Sequence, residues 1–287
     1  MSKILVTGAN GFLGKSISEY FSNTGHTVYA LTRQELDVSN TSQVFNWFKN
    51  NEVDFVIHTA IKGGRRGSVD TYSDYLTNIK MFENLFEQRS RYSLMINFGS
   101  GAEFDRNNDI KCYSEDRVLD AMPEDFYGLA KNMITRKVIK HNTNVCSFRL
   151  FGCFGKDEAD NRLLKILSKG IQDQKEVRID SGKMMDFFYD KDLCRAILYY
   201  MENFEDSNLP RDVNLVYREK LNLKQISDLL EKHLKSKNRK LLLNEVQTTS
   251  YTGDWKLCTK TFPTDLFLGF QKGISEIYGG TECPKTK

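Results

Sequence analysis

The chain has 287 residues, 40% hydrophobic and 28% charged, a globular composition that excludes a largely disordered polypeptide. Its 41 Lys and Arg against 38 Asp and Glu leave a formal net charge of +3, so no global field draws nucleic acid or an anionic membrane. The length suits one large domain or two smaller ones, and four prolines are too few for Pro-rich linkers. Met1-Ser2-Lys3 runs straight into Ile4-Leu5-Val6, too short an apolar run for a signal peptide, and nowhere do about 18 apolar residues follow one another. The six cysteines (Cys112, Cys146, Cys153, Cys194, Cys258 and Cys283) form no CxxC pair. Free thiols in a reducing cytoplasm are therefore expected, with no disulfide framework and no metal site.

The first half alternates two patterns. Apolar, strand-like runs fall at Lys3–Thr7, Thr27–Leu31, Asp54–Ala60, Ser93–Phe98 and Asn144–Leu150, and helical spacing at Phe12–Asn23, Ser42–Asn50, Tyr72–Glu87 and Asp125–Lys140. Near-continuous apolar strands separated by helices predict a parallel sheet covered on both faces, wound right-handedly into a doubly wound, Rossmann-type α/β fold. The second half is less regular. Leu163–Gln172 and Leu223–Leu234 read as amphipathic helices, Phe187–Tyr189 and Val213–Val216 as short strands, and Cys194–Met201 as a further helix on the sheet. A boundary falls near residue 155, with a return to the first domain around residues 184–202.

Thr7-Gly8-Ala9-Asn10-Gly11-Phe12-Leu13-Gly14 follows the first strand and opens the first helix. In this context Gly8 permits a tight turn, Gly11 lets the backbone approach a pyrophosphate, and Gly14 allows close packing of helix on strand. The N–H groups and positive dipole end of the helix, at Asn10 to Leu13, would meet the phosphates. The second strand ends in Leu31-Thr32-Arg33-Gln34, with no acid for ribose hydroxyls. Arg33 can instead grip a 2′-phosphate with its guanidinium fork, which favours NADPH over NADH, and Asp37-Val38 would lie near the adenine edge.

These glycines, with Tyr127-Gly128-Leu129-Ala130-Lys131, resemble the TGxxGxxG turn and YxxxK signature of extended short-chain dehydrogenases/reductases, the NAD-dependent epimerase/dehydratase family. Ser100 matches that family's catalytic Ser/Thr, His58-Thr59-Ala60 its strand-end motif beside the cofactor, and Asn78 the helix asparagine that follows. Tyr251-Thr252-Gly253-Asp254 looks like the nucleotide-sugar branch. The resemblance implies residues 1–155 as an NADP-binding Rossmann domain and 156–287 as a smaller mixed α/β domain for a nucleotide-sugar substrate. Tyr127 and Lys131, one helical turn apart, would serve as proton donor and as the ammonium that lowers the phenol's pKa. Ser100 would hydrogen-bond the substrate oxygen, and Lys131 would also hold the nicotinamide ribose.

Family 4,6-dehydratases carry Asp-Glu directly after the Ser/Thr. Here those places hold Gly101 and Ala102, so dehydration is not expected; Glu103, one place further along a strand-like segment, would face the other way. Ala60-Ile61-Lys62-Gly63-Gly64 and Arg33-Gln34-Glu35-Leu36 resemble stretches of GDP-L-fucose synthase, which implies that Lys62 contacts the cofactor. That enzyme epimerises C3 and C5 through a cysteine and a histidine. The corresponding residues here are Ala102 and Asn161, neither able to exchange a carbon-bound proton, and His26, His58, His141 and His233 offer no obvious substitute. The expectation is an NADPH-dependent C4-ketone reductase of a nucleotide-activated 4-keto-6-deoxysugar, without epimerisation. An NAD-dependent 4-epimerase is the rival, and a non-catalytic dinucleotide sensor stands behind both. The family's RxxNxxG reads Arg149-Leu150-Phe151-Gly152-Cys153-Phe154-Gly155, with Gly152 for the substrate-contacting Asn, and its RDF reads Met185-Asp186-Phe187. Arg162 or Lys183 would replace the lost phosphate partner, beside Ala102 at the substrate. Lys62, Arg65 and Arg66 form a basic loop too small for nucleic acid. Helices Tyr72–Glu87 and Asp125–Lys140 are where family homodimers pair; Phe82, Leu85, Phe86, Met133, Ile134 and Val138 suit that interface or the core equally.

Overall fold

The computed structural model describes residues 1–64, 68–234, 240–244 and 249–279. The chain opens with β1 (Lys3–Thr7), α1 (Phe12–Asn23), β2 (Thr27–Leu31), α2 (Thr41–Asn50), β3 (Phe55–His58), α3 (Tyr72–Phe86) and β4 (Leu94–Ser100). It continues through β5 (Ile110–Tyr113), α4 (Phe126–His141), β6 (Val145–Leu150), β7 (Cys153–Phe154), α5 (Leu163–Gln172), β8 (Glu176–Asp180) and β9 (Phe188–Tyr189). The remaining elements are α6 (Asp190–Glu202), β10 (Asp212–Asn214), α7 (Leu223–Leu234), β11 (Lys240–Asn244), β12 (Tyr251–Gly253), α8 (Lys256–Thr261) and α9 (Phe270–Tyr278).

Six strands form one parallel sheet in the order β10-β6-β4-β3-β1-β2. The chain adds β2 on one side of β1 and β3 on the other, so the winding reverses there and leaves a crevice at the strands' carboxyl ends. Alternation along the strands builds two cores. Ile4, Val6, Phe55 and Ile57 face a layer with Ile17 and Phe21 of α1 and Leu193 and Ile197 of α6. Leu5 and Val56 face the opposite layer with Val44, Phe48, Phe82, Leu85, Ile134 and Val138. Phe82, Leu85, Phe86, Ile134 and Val138 are therefore covered within the chain itself, and of the six residues suited to an interface only Met133 is exposed.

The return to the sheet reaches further than residues 184–202. α6 lies on α1, and β10 then adds the edge strand beside β6. A second lobe packs α5, α7 and α9 around Leu164, Leu167, Ile226, Leu230 and Ile274, with the short parallel pairs β8·β11 and β7·β9 beside them. Another pair, β5·β12, brings the chain back from this lobe to the loop after β4. Among the described residues no helix is long and apolar enough to cross a membrane.

Two ionic groups lie buried where the halves meet. Arg149 on β6 is fully enclosed: Nε donates to Glu103 Oε2 at 2.8 Å, Nη2 to Asp212 Oδ2 at 2.8 Å and Nη1 to Asn214 Oδ1 at 2.9 Å. Its guanidinium stands 4.8 Å from the centre of the Phe104 ring. Arg149→Met would leave two carboxylates buried without a cation, so urea denaturation should show about 3–5 kcal/mol less stability than wild type. Glu158, between β7 and α5, has an enclosed Oε2 with no hydrogen-bond partner among the described residues. Burial pushes its carboxyl up to about 7, with Arg162 drawing it back. The folded chain thus holds a proton that the unfolded chain releases near 4.5; the stability this group contributes is full below that pH and lost as pH rises through about 7. Glu158→Gln should exceed wild type in unfolding free energy by roughly 2 kcal/mol at about pH 8, the gap closing toward about pH 4.

Candidate active site

The glycine turn leaves β1 at the crevice. Gly8 takes φ +69°, and a Cβ there would stand 2.7 Å from Ala60 Cα; one at Gly14 would stand 2.4 Å from the Gly8 carbonyl oxygen. Both positions are closed to any larger residue. Gly11 is exposed and caps α1 with no side-chain hydrogen bond, so the first-turn N–H groups at Phe12 and Leu13 face the crevice without a side-chain acceptor. A cradle that side chains would fill, opening onto a helix N-terminus, fits the pyrophosphate of a dinucleotide.

The other residues expected at the cofactor divide into two groups. Thr59 lines the cavity and donates from Oγ1 to the Thr7 carbonyl at 2.6 Å, while Ala60 backs Gly8. Arg33 stands exposed just past the tip of β2, its Nε 3.2 Å from Asp37 Oδ2. Val38 is buried, and its carbonyl accepts from Asn84 Nδ2. Asn78 does not line the cavity: its amide bonds both backbone groups of Lys62, at 2.9 and 2.8 Å. Lys62 turns its ammonium to Asp74 at 3.1 Å. Asn78 and Asp74 thus fix the loop after β3. Arg65 and Arg66, the rest of that basic loop, lie outside the described residues.

Ser100, Tyr127 and Lys131 converge on this crevice. Ser100 closes β4, and its N–H donates to Glu103 Oε1 at 2.7 Å. Tyr127 sits in the first turn of α4, whose N-cap Asp125 accepts the Gly128 N–H at 2.8 Å. The Tyr127 ring lies over Gly64, where φ is +69° and a Cβ would stand 2.5 Å from the ring. Lys131, a turn later, is buried; its Nζ donates to the Phe98 carbonyl at 2.5 Å, and burial lowers its pKa to about 8 against the pull of Glu103. Burial raises the Tyr127 phenol, while a hydrogen bond with Ser100 and the guanidinium of Arg106 bring it down. Arg162 acts in the same sense and Glu103 against it. His58 is buried, held by Thr7 Oγ1 at 2.8 Å and lowered to about 3, so it stays neutral beside Lys131.

The segment after Ser100 differs from its sequence reading. Gly101–Phe104 is a 3-10 turn and not strand-like; Ser100 Oγ caps it by accepting the Ala102 N–H at 3.2 Å. That turn delivers the Glu103 carboxylate to the buried Arg149 on one oxygen and to the Ser100 N–H on the other, off the cavity wall. Ala102, expected at the substrate, is buried inside the turn and outside the cavity wall.

A cavity of about 750 Å³ joins the two halves. Phe12, Leu13, Thr59, Ser100, Tyr127 and Lys131 wall one side; Arg162, Arg178, Lys183, Met185 and Phe187 wall the other. Gly152 explains the missing asparagine: a Cβ there would stand 2.7 Å from the Asp186 carbonyl oxygen. Asp186 is occupied by Lys220 Nζ at 2.6 Å and the Gly253 N–H at 2.9 Å, and burial raises it to about 6. Sequence reasoning missed several wall residues, among them Tyr251, Arg106, Arg178 and Glu158. Tyr251 brings its hydroxyl within 3.4 Å of Ser100 Oγ. Its motif was noticed, yet nothing local places it beside a serine so distant along the chain.

Residues 4–215 match the model of the NAD dependent epimerase/dehydratase family. The GDP-L-colitose synthase of Yersinia pseudotuberculosis is 25% identical over 236 residues, covering 74% of this chain and 76% of that protein. The dTDP-4-dehydrorhamnose reductase of Aggregatibacter actinomycetemcomitans is 23% identical over 205 residues, covering 70% and 68%. Among solved structures, the GDP-mannoheptose C4 reductase from Campylobacter jejuni with NADP bound is similar in fold, with a TM-score of 0.81 at 20% identity over 96% of this chain and 97% of that one. The matched span takes in the glycine turn, Ser100, Tyr127 and Lys131, and on it the chain belongs to the NAD dependent epimerase/dehydratase family.

Proposed function

We propose that the chain is an NADPH-dependent reductase of the C4 ketone of a nucleotide-activated 4-keto-6-deoxysugar, without epimerisation at C3 or C5. The carrying observation is that one cavity is lined by Ser100, Tyr127 and Lys131 together with Arg162, Arg178 and Lys183. Three cations suit a nucleotide diphosphate, the first group a sugar carbonyl. Residues 1–155, with α6 and β10 returned to their sheet, would form the cofactor half and the rest of 156–287 the substrate half. Arg33, at the end of β2 where an NAD site would carry an acid, suits a 2′-phosphate, and the Campylobacter heptose reductase was solved with NADP bound.

Ser100 Oγ and the Tyr127 hydroxyl would hydrogen-bond the ketone oxygen, and Tyr127 would give that oxygen its proton. The bound cofactor supplies the hydride that C4 receives, so the ketone gains one hydride and one proton to become an alcohol. The Lys131 ammonium, with its lowered pKa, favours the negative charge left on the phenol. Epimerisation needs a base at the carbon-bound protons next to the ketone. Ala102 is buried away from the cavity, and Asn161 is exposed and outside its wall.

Purified protein with NADPH and a panel of nucleotide 4-keto-6-deoxysugars should lose nicotinamide absorbance in step with alcohol formed. Product made in D2O should carry no deuterium at C3 or C5. Interconversion of sugars without net NADPH loss would overturn the reductase reading in favour of a 4-epimerase. Tyr127→Phe should lower kcat by about 100-fold or more while NADPH affinity, read by fluorescence quenching, stays within about twofold.

A further inference from the structure

We propose that Arg106 is a positioning residue for charge on Tyr127: its guanidinium, clamped by Asp125 at the cavity mouth, stabilises the phenolate left after proton donation. The inference rests on the reading of Tyr127 as proton donor, and it adds a cation that neither the glycine turn nor the YxxxK spacing contains.

The geometry is specific. Arg106 follows Asp105, whose backbone takes φ +66° and whose carboxylate accepts from Asn107 N–H at 3.1 Å and Asn108 Nδ2 at 3.2 Å. The loop so folded points Arg106 back across the start of α4. There its fork grips Asp125, Nη2 to Oδ1 at 2.6 Å and Nε to Oδ2 at 3.3 Å. Asp125 is itself fixed as the N-cap of α4. The Arg106 Cζ stands 5.7 Å from the centre of the Tyr127 ring, and the residue lines the cavity. A cation over an aromatic face is attracted by the neutral ring, and more strongly once the ring carries a negative charge.

The other charged and titratable groups facing Tyr127 come from every surrounding element. Lys131 shares its helix, with one of its three ammonium donors on the Phe98 carbonyl. Ser100 and Glu103 approach from the end of β4 and its 3-10 turn, Arg162 from the start of α5, and Tyr251 from β12. Arg162 has Glu158 Oε1 3.7 Å from its Nε, and Glu103 belongs to Arg149. Among the described cations, Arg106 is the one with a recorded contact on the Tyr127 ring. It is also 44% exposed at the side chain, so solvent weakens its effect without removing it.

The test reads the phenol directly. 3,5-Difluorotyrosine in place of Tyr127 gives one 19F resonance site on a phenol made more acidic by its fluorines, so its titration falls within the folded range and needs no substrate. Arg106→Gln, which keeps a hydrogen-bond donor for Asp125 but removes the charge, should raise the midpoint by about one unit, and Arg106→Lys, which keeps the charge without the fork, should restore part of that shift. Thermal denaturation of each variant verifies that it is folded at the pH of the titration. An unmoved midpoint in Arg106→Gln, or an Arg106→Lys chain displaced as far as Arg106→Gln, overturns the proposal. The same samples assayed with sugar ketones separate the two readings. A shifted midpoint without turnover on any ketone upholds Arg106 and rejects the reductase, while turnover with an unmoved midpoint does the reverse.

Discussion

The site hangs on Arg149. A fully buried guanidinium is costly unless every donor direction is met, and here Glu103, Asp212 and Asn214 meet it in the plane while Phe104 covers its face. These partners come from two pieces of chain: the turn after β4, and two positions on the edge strand β10. Satisfying one cation therefore docks a strand that enters the sheet late in the sequence. It also holds Glu103 in place, whose other oxygen accepts the Ser100 N–H. Ser100 is thus set by a carboxylate that is itself fully enclosed.

A second constraint is steric. Gly64 lets the loop after β3 lie flat on the Tyr127 ring, and Gly8 and Gly14 let the opening turn close against Ala60 and against itself. Gly152 does the same for the second lobe, where the chain at Asp186–Phe187 crosses within contact distance. The cavity is consequently shaped by backbone at Gly152, and the long side chains of Arg162, Arg178 and Lys183 line it as well.

The catalytic groups sit in an environment that works against ionisation. Burial raises Tyr127 and lowers Lys131, each toward its neutral form. For Tyr127 what opposes it is spread over several elements, Ser100 at the end of β4, Arg106 in the loop beyond and Arg162 before α5; for Lys131 it is Glu103. The neutral His58 beneath Lys131 adds no competing charge.

Local patterns determined much of this protein. Near-continuous apolar runs placed β1, β2, β3, β4 and β6 of the parallel sheet within about two residues, because a sheet strand covered by helices needs such a run, whereas the short β5, which pairs outside that sheet, was not read. The glycine turn, Ser100, Tyr127 and Lys131 were legible because each depends on a short spacing: a turn before a helix, a strand end, a single helical turn. The tertiary structure decided what depends on distant partners. The Asn78 amide meets both backbone groups of Lys62, and the Lys62 ammonium meets Asp74. Glu103 sits in a 3-10 turn because Arg149 draws its carboxylate inward. Tyr251 and Arg106 reach the site only through pairing of β5 with β12 and the clamp on Asp125. No periodicity encodes such meetings, since they arise from the closure of one half of the chain over the other.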